Sequence, residues 1–476
     1  MKTIQRIAFA VLILHVLSVD VVGAEESRKP GIYAGAAERD ISPPIGMEIM
    51  HYFRKNVGVH DPIFLRAIVL EDAKGQSFAL ITADLICAGF AAVDELRERV
   101  KKKTGVSEVW FNCSHTHSSR WLGSTPRKGR IWTDELVWDE FRDRPLSENP
   151  RESLWNSRVH KAAVEIVAEA KKKMVPVTLH VGREKAQVGF NRRVTPANGR
   201  THMGVNRKGA VVPWVNVLVA KSRKTKRPVA VLLEHAAHPV TVPHTSKLVS
   251  ADFPGAAVAR VREKLGNDVV VLFAQGCNGN INSFPLRSTH ADADAAGHKL
   301  GDAALSAMGK CDLIKATTLK LRTKRFELPT RALPSAKLVA ELKEKNKKNR
   351  ARMKQLNKIS AMRKSGGSPA PRRFGVYGVM LGDEWGMVAM NYETFCQYEL
   401  WIDKHAPFKR TMVLALTNGG RAYIGTDKAL AMGANGGYEA GSLPNWGGHE
   451  TMSPNLGPPA VGAEKMIHRA FESLWR

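Results

Sequence analysis

Four short apolar runs in this chain each stop at residues able to carry a proton or bind a metal. Trp110-Phe111-Asn112-Cys113-Ser114 leads into His115-Thr116-His117-Ser118, and Val231-Leu232-Leu233 leads into Glu234-His235-Ala236-Ala237-His238-Pro239. Met387-Val388-Ala389-Met390 leads into Asn391-Tyr392-Glu393, and Val413-Leu414-Ala415-Leu416 into Thr417-Asn418-Gly419-Gly420 and then Tyr423. Short apolar runs bounded by turn formers read as buried strands. Sites in open α/β sheets form just beyond the carboxyl ends of strands. The pattern therefore predicts an α/β fold, with mixed sheets flanked by helices, whose strand ends bring His, His, Glu and Tyr to one edge.

The rest of the chain agrees with that class. Further strands are expected over 77–85, 108–112, 228–233, 268–274, 386–390 and 411–416, and helices over 91–104, 158–174, 256–265, 290–308 and 395–405. The stretch 121–150, rich in Trp, Arg and Pro, reads as a long loop or lid. Residues 336–363 have helical spacing (Leu338, Leu342, Met353, Leu356) and are heavily basic, and a linker-like Gly-Gly-Ser-Pro-Ala-Pro follows within 365–373. This 336–373 segment is expected to be a basic helical insertion, either a solvated arm or a polyanion-binding one. No aromatic residue interleaves its basic helical stretch, so base stacking has no platform and no specific nucleic acid partner is expected. There is no internal repeat, Walker A loop or Gly-x-Ser-x-Gly elbow.

Lys and Arg total 72 against 45 Asp and Glu, a net charge of +27. Such a chain should be drawn to anionic membrane surfaces or polysaccharides. Five cysteines without a Cys-x-x-Cys pair exclude a disulfide-built scaffold and a cysteine zinc finger. Lys2 and Arg6, the apolar run Ile7 to Leu17, and Val22-Gly23-Ala24 have the order of a secretory signal. The run is far short of the roughly 20 residues that span a bilayer. Residues 1–24 are thus expected to be a cleavable signal peptide, and the mature chain from 25 to 476 to be secreted or periplasmic.

Two imidazoles, a carboxylate and an open position suit zinc, which activates water near neutral pH for attack on a carbonyl. Taken singly, each residue has an ordinary reading. His115-x-His117 and His238 can be polar loop groups, and Glu393 an acid at a helix N-terminus. Arg192 can be a surface cation and Tyr438 a packed aromatic.

From about Ala34 to Ala440 the order of segments resembles the catalytic domain of the neutral/alkaline non-lysosomal ceramidases. The opening Ala34-Gly35-Ala36-Ala37-Glu38-Arg39-Asp40-Ile41-Ser42-Pro43-Pro44 is similar to that family's first block, and Gly58 to Glu71 to the next. Asn112 to Ser118 resembles its Thr-His-Thr-His motif, and His238-Pro239-Val240-Thr241 with Ser250-Ala251-Asp252 its second histidine block. Phe273 to Asn282, Tyr423-Ile424-Gly425-Thr426 and Tyr438-Glu439-Ala440 resemble the remaining ones. The resemblance implies a zinc amidase that splits N-acyl sphingosine by zinc-activated water. It implies His115, His238, Glu393 and Tyr423 as zinc ligands. It implies His117 in proton transfer, and Arg192 with Tyr438 at the carbonyl oxygen.

Two departures bear on the substrate. The family's serine implicated in amide cleavage falls on Asn282, with Ser283 one place later, and its acidic residue falls on Asn280. Too few residues follow Ala440 for the immunoglobulin-like domain of about 100 residues that full-length ceramidases carry. Three functions therefore stand as expectations: a ceramidase-like zinc amidohydrolase acting on a lipid amide, a related zinc amidase or esterase on a non-ceramide substrate, and a cationic, non-enzymatic polyanion-binding protein.

Overall fold

The computed structural model describes residues 30–50, 54–123, 150–420, 422–440 and 457–476. The expected signal peptide and most of the expected 121–150 loop lie outside the described residues. Among the described residues no helix is long and apolar enough to cross a membrane.

Eight strands form the main path of the larger sheet: β1 (Ile32–Asp40), β2 (Phe64–Asp72), β3 (Ser77–Ala83), β4 (Glu108–Cys113), β5 (Val175–Lys185), β6 (Trp214–Ser222), β7 (Pro228–His235) and β8 (Val270–Gln275). Their spatial order is β8-β7-β6-β5-β1-β2-β3-β4. Pairing is antiparallel except at the two ends, where β7 runs parallel to β8 and β3 parallel to β4. A second sheet holds β9 (Leu319–Leu328), β10 (Arg372–Leu381), β11 (Trp385–Met390) and β12 (Arg410–Leu414) in that order, with β11 and β12 parallel.

The continuous apolar runs are explained by burial on both faces. Along β2, Ala67 and Val69 pack towards helices, whereas Ile68 and Leu70 pack towards the second sheet. The helices on that side are α1 (Phe90–Thr104) and α2 (Pro150–Lys172). On β8, Val271 and Phe273 meet α3 (Asp252–Leu265) and α4 (His290–Gly309), whereas Leu272 and Ala274 face the second sheet. That sheet's outer face is covered by α5 (Cys396–His405) and α6 (Ala463–Trp475), through Ile402, Ile467, Phe471 and Leu474. The result is a four-layer helix–sheet–sheet–helix sandwich. Gly35 allows β1 to lie against α2, since a Cβ there would sit 2.0 Å from the carbonyl oxygen of Ala170.

Several expected boundaries shift. Helix α2 starts at Pro150 rather than 158, and α3 at Asp252 rather than 256. The 336–363 helix is two, Ala336–Lys345 and Arg350–Lys364, closed on a small core of Val339, Leu356 and Ile359. A turn at 346–349 divides them, where Asn346 donates back to Leu342 and Lys343. The expected linker ends early because Arg372 already pairs with Leu328 in the second sheet. Strands β5, β6, β9 and β10 and helix α6 carry no clear sequence signal. In β9, five consecutive residues from Arg322 to Phe326 include four polar ones, which hides the strand period.

Candidate metal centre and its arginine

The four chain segments singled out by sequence meet at one place. Side-chain amides tie the two sheets together there. Asn112 Nδ2 donates to the carbonyl oxygen of Ala415 at 2.7 Å, and its Oδ1 accepts from the backbone N–H of Gln275 at 2.9 Å. Asn391 Nδ2 donates to the carbonyl of Thr417 at 2.8 Å, and Asn418 N donates to Phe111 O at 2.8 Å. The ends of β4, β8, β11 and β12 are thereby fixed to one another. His115, Tyr392, Leu416, Asn418 and Ala422 all take positive φ around this edge. Each such backbone costs on the order of 1–3 kcal/mol, and such residues cluster where side-chain direction matters.

His115, His238 and Glu393 are all buried. His115 Nδ1 lies 2.5 Å from the carbonyl of Ile86, and His238 Nδ1 lies 2.8 Å from that of Asn278 and 3.1 Å from that of Ile281. A carbonyl only accepts, so each Nδ1 carries a hydrogen and each ring turns its Nε2 towards the site. Both Nε2 atoms converge on the same oxygen. Glu393 Oε2 lies 3.2 Å from His115 Nε2 and 3.0 Å from His238 Nε2. Burial, then the nearby Arg192 cation, pushes His238 down to about 3, so it stays neutral. Burial works to raise Glu393, but the two histidines override it and hold the carboxyl well below its usual range. Two ring nitrogens and a carboxylate oxygen thus meet at one point, an arrangement that a cation would satisfy.

The donor set fits zinc. Two ligands about 2.0–2.1 Å from one tetrahedral ion stand roughly 3.3 Å apart, close to the separations here. The ring nitrogens of His115, His117 and His238 also lie within 4.8 Å of one another, so His117 is within reach of the same ion. The His115 and His117 rings meet edge to face, with centroids 5.0 Å apart. Tyr423 is brought alongside by pairing of Glu393–Thr394 with Tyr423–Ile424, with its ring 6.3 Å from that of His238. Burial pushes the Tyr423 phenol well above its ordinary value, with Arg192 opposing. Tyr438 is half-buried, and its ring lies 5.5 Å from that of Tyr423.

Arg192 is buried in the same place. Nε donates to Glu439 Oε1 at 2.8 Å, Nη1 to Asn282 Oδ1 at 2.9 Å and Nη2 to the carbonyl of Gly279 at 2.9 Å. Its guanidinium lies 5.2 Å from the Tyr423 ring centre. Burial works to lower it, but Tyr423 and Glu439 prevail and hold it above the ordinary arginine value. Glu439 also takes Arg193 Nη1 at 2.6 Å. Glu439 lies within the motif Tyr438-Glu439-Ala440, where the sequence marks no role for it. The signal available was two adjacent arginines needing a buried counter-charge.

Asn282 points at this cluster through its bond to Arg192. Ser283 faces the opposite way, with its hydroxyl accepting from Thr241 at 2.8 Å and from the Val240 N–H at 3.2 Å. A one-residue slip that would restore a serine at the Asn282 position therefore does not occur. Asn280 caps α5, accepting from Cys396 N at 2.8 Å. No disulfide joins any of the five cysteines, and Cys113 and Cys277 are buried with their ionisation pushed up by burial.

Two packed mixed sheets thus share an edge that carries a histidine–carboxylate cluster. The fold is that of neutral ceramidase. The crystal structure of neutral ceramidase from Pseudomonas aeruginosa superposes with a TM-score of 0.68 at 15% identity, covering 94% of this chain and 74% of that one. A solved structure described as ceramidase complexed with C2 gives a TM-score of 0.67 at 14% identity, covering 94% of this chain and 75% of that one. In sequence, a stretch of 93 residues is 32% identical to neutral ceramidase of Drosophila pseudoobscura pseudoobscura. That stretch is 18% of this chain and spans 13% of the relative's length. No family model matches the chain.

Proposed function

We propose that this chain is a secreted zinc-dependent amidohydrolase that cleaves the amide of an N-acyl sphingosine-like lipid. The observation that carries this reading is the meeting of two imidazole Nε2 atoms and a carboxylate oxygen, with each Nδ1 taken up by a backbone carbonyl. His115, His238 and Glu393 would hold the ion, with Tyr423 as the fourth protein ligand. Zinc, when bound, supplies Lewis acidity and brings water towards ionisation near neutral pH.

The remaining steps belong to this chain's own residues. Glu439, Asn282 and Gly279 lock three of the five N–H groups of Arg192. The cation is therefore preset, and with Tyr438 it would hold the carbonyl oxygen as charge develops there. Water adds to the carbonyl carbon and the C–N bond breaks. His117 would hand the departing amine its proton, leaving a carboxylate and an amine. Asn282 in the family's serine position supports a second reading, a related zinc amidase or esterase whose substrate is not ceramide.

The test is metal analysis of the purified protein followed by a panel of substrates. About one zinc per chain is expected, as one mononuclear site implies, with hydrolysis of N-acyl sphingosine that chelation removes and zinc restores. Zinc-dependent cleavage of other amides or esters alone would select the second reading. Absence of metal, no reconstitution and no hydrolysis, with tight binding to heparin or anionic vesicles, would leave the polyanion-binding reading.

A further inference from the structure

A second set of buried ionisable side chains lies behind this site, and the chemistry above makes no use of it. Glu234 at the end of β7 is 0% exposed and Glu399 on α5 is 1% exposed. Glu234 Oε2 accepts from Asn216 Nδ2 at 2.5 Å, and Glu399 Oε2 accepts from the backbone N–H of Cys277 at 2.9 Å. The Oε1 atom of each carboxyl is sealed from solvent and faces no donor. The two carboxyls are close enough to act on each other's ionisation. They close on Gly276, where a Cβ would lie 2.4 Å from Glu234 Oε1 and 2.8 Å from Glu399 Oε2.

Two bare carboxylates cannot hydrogen-bond, and like charges this close cannot both stay ionised. Among the described residues no cation forms an ion pair with either. Arg183 on β5 stops one residue short, with Nε on Asn216 Oδ1 at 2.7 Å and Nη2 on Asp403 at 2.7 Å. The other titratable groups facing the pair are Asp403, an anion, and the thiols of Cys277 and Cys396, which burial keeps protonated.

We propose that Glu234 and Glu399 share one proton and act as a positioning pair that fixes the segment 276–282 beneath the candidate metal centre. Glu399 grips the start of that segment at Cys277. Further along, the carbonyls of Asn278 and Ile281 hold His238 Nδ1, and Gly279 O and Asn282 Oδ1 hold Arg192. Gly279 N donates to Thr394 O at 2.8 Å, next to Glu393. A shift at Cys277 therefore moves the supports of His238 and Arg192 together. Burial pushes Glu234 up to about 7 and Glu399 well above the usual carboxylate range, with Glu234 adding to the latter. The shared proton is thus kept at neutral pH and lost in base, where two facing anions would force the segment open.

That the segment supports a catalytic site rests on the function proposed above; its tether to the carboxyl pair does not. The test is amide hydrogen exchange of 276–282 in the full chain from about pH 6 to about pH 10, corrected for intrinsic exchange. Loss of one proton on opening predicts an opening constant that rises up to about tenfold per pH unit in the alkaline range. Glu234→Gln supplies an amide hydrogen in place of the proton, so its profile should be flat. An infrared difference spectrum, wild type minus Glu234→Gln at neutral pH, should contain a protonated-carboxyl C=O stretch. Should the variant fail to fold, the wild-type exchange profile alone decides. A flat wild-type profile, an unchanged slope in Glu234→Gln, or no carboxyl band would each overturn the proposal. An intact profile in a protein that holds no metal would instead sink the amidohydrolase reading.

Discussion

Replacing Glu393 with Gln probes the metal centre without opening a cavity. Glu393 Oε2 faces His115 Nε2 at 3.2 Å and His238 Nε2 at 3.0 Å. The variant's amide keeps the shape but removes the negative charge and with it the anionic ligand, so zinc should separate the two proteins. At free zinc 100 times the dissociation constant the wild type gains about 2.7 kcal/mol, while the variant gains little. Because the ligands must be deprotonated to hold the ion, the wild-type gain should shrink in acid. Denaturant unfolding with and without zinc, beside metal analysis, reads both effects. Equal zinc-induced gains in the two proteins would refute the reasoning.

Further outcomes follow from the same geometry. His117→Ala should slow amide cleavage more than cleavage of an activated ester by about 10²–10⁴-fold, the range of general acid–base help; equal losses in the two assays would mark His117 as a support or ligand of the ion. Glu439→Ala removes the carboxylate from the buried Arg192 and the half-buried Arg193 and should cost about 3–5 kcal/mol in denaturant unfolding; a cost within experimental error would mean that Asn282 and Tyr423 suffice to hold Arg192. Deleting residues 336–363 should weaken binding to anionic liposomes, and added salt should do the same by screening, while hydrolysis of a small soluble amide changes little. An equal fall in soluble amidase activity would place that segment in the site.

The candidate site was unusually legible because its residues follow strands. His115, His238, Glu393 and Tyr423 are far apart in sequence but share one local position, the end of an apolar run. That position survives translation into three dimensions whenever the strands end at a common edge. What stayed hidden were partners set by side-chain direction. Glu439 is recognisable as the counter-charge of Arg192 and Arg193 only once the turn at Tyr438–Ala440 has folded back over them. Asn112 and Asn418 read as ordinary polar residues, yet their amides join the two sheets.

The sequence by itself determined the class of elements and the chemistry available. Apolar runs too short for helices made strands, Gly105 ended α1 in the left-handed conformation, and the residues after four strands could hold a metal or move a proton. Tertiary structure decided which ring nitrogens face Glu393. The ring orientations of His115 and His238 are fixed by carbonyls of Ile86 and Asn278, 29 and 40 residues away in the chain. Whether Asn282 or Ser283 faces the site is set by the pairing of 281–283 with the strand that carries Arg192. The protons of Glu234 and Glu399 depend on burial and on a neighbour 165 positions away. Local sequence encodes backbone preference; charge state and direction are properties of the packed interior, where distant segments remove water and replace it with specific partners.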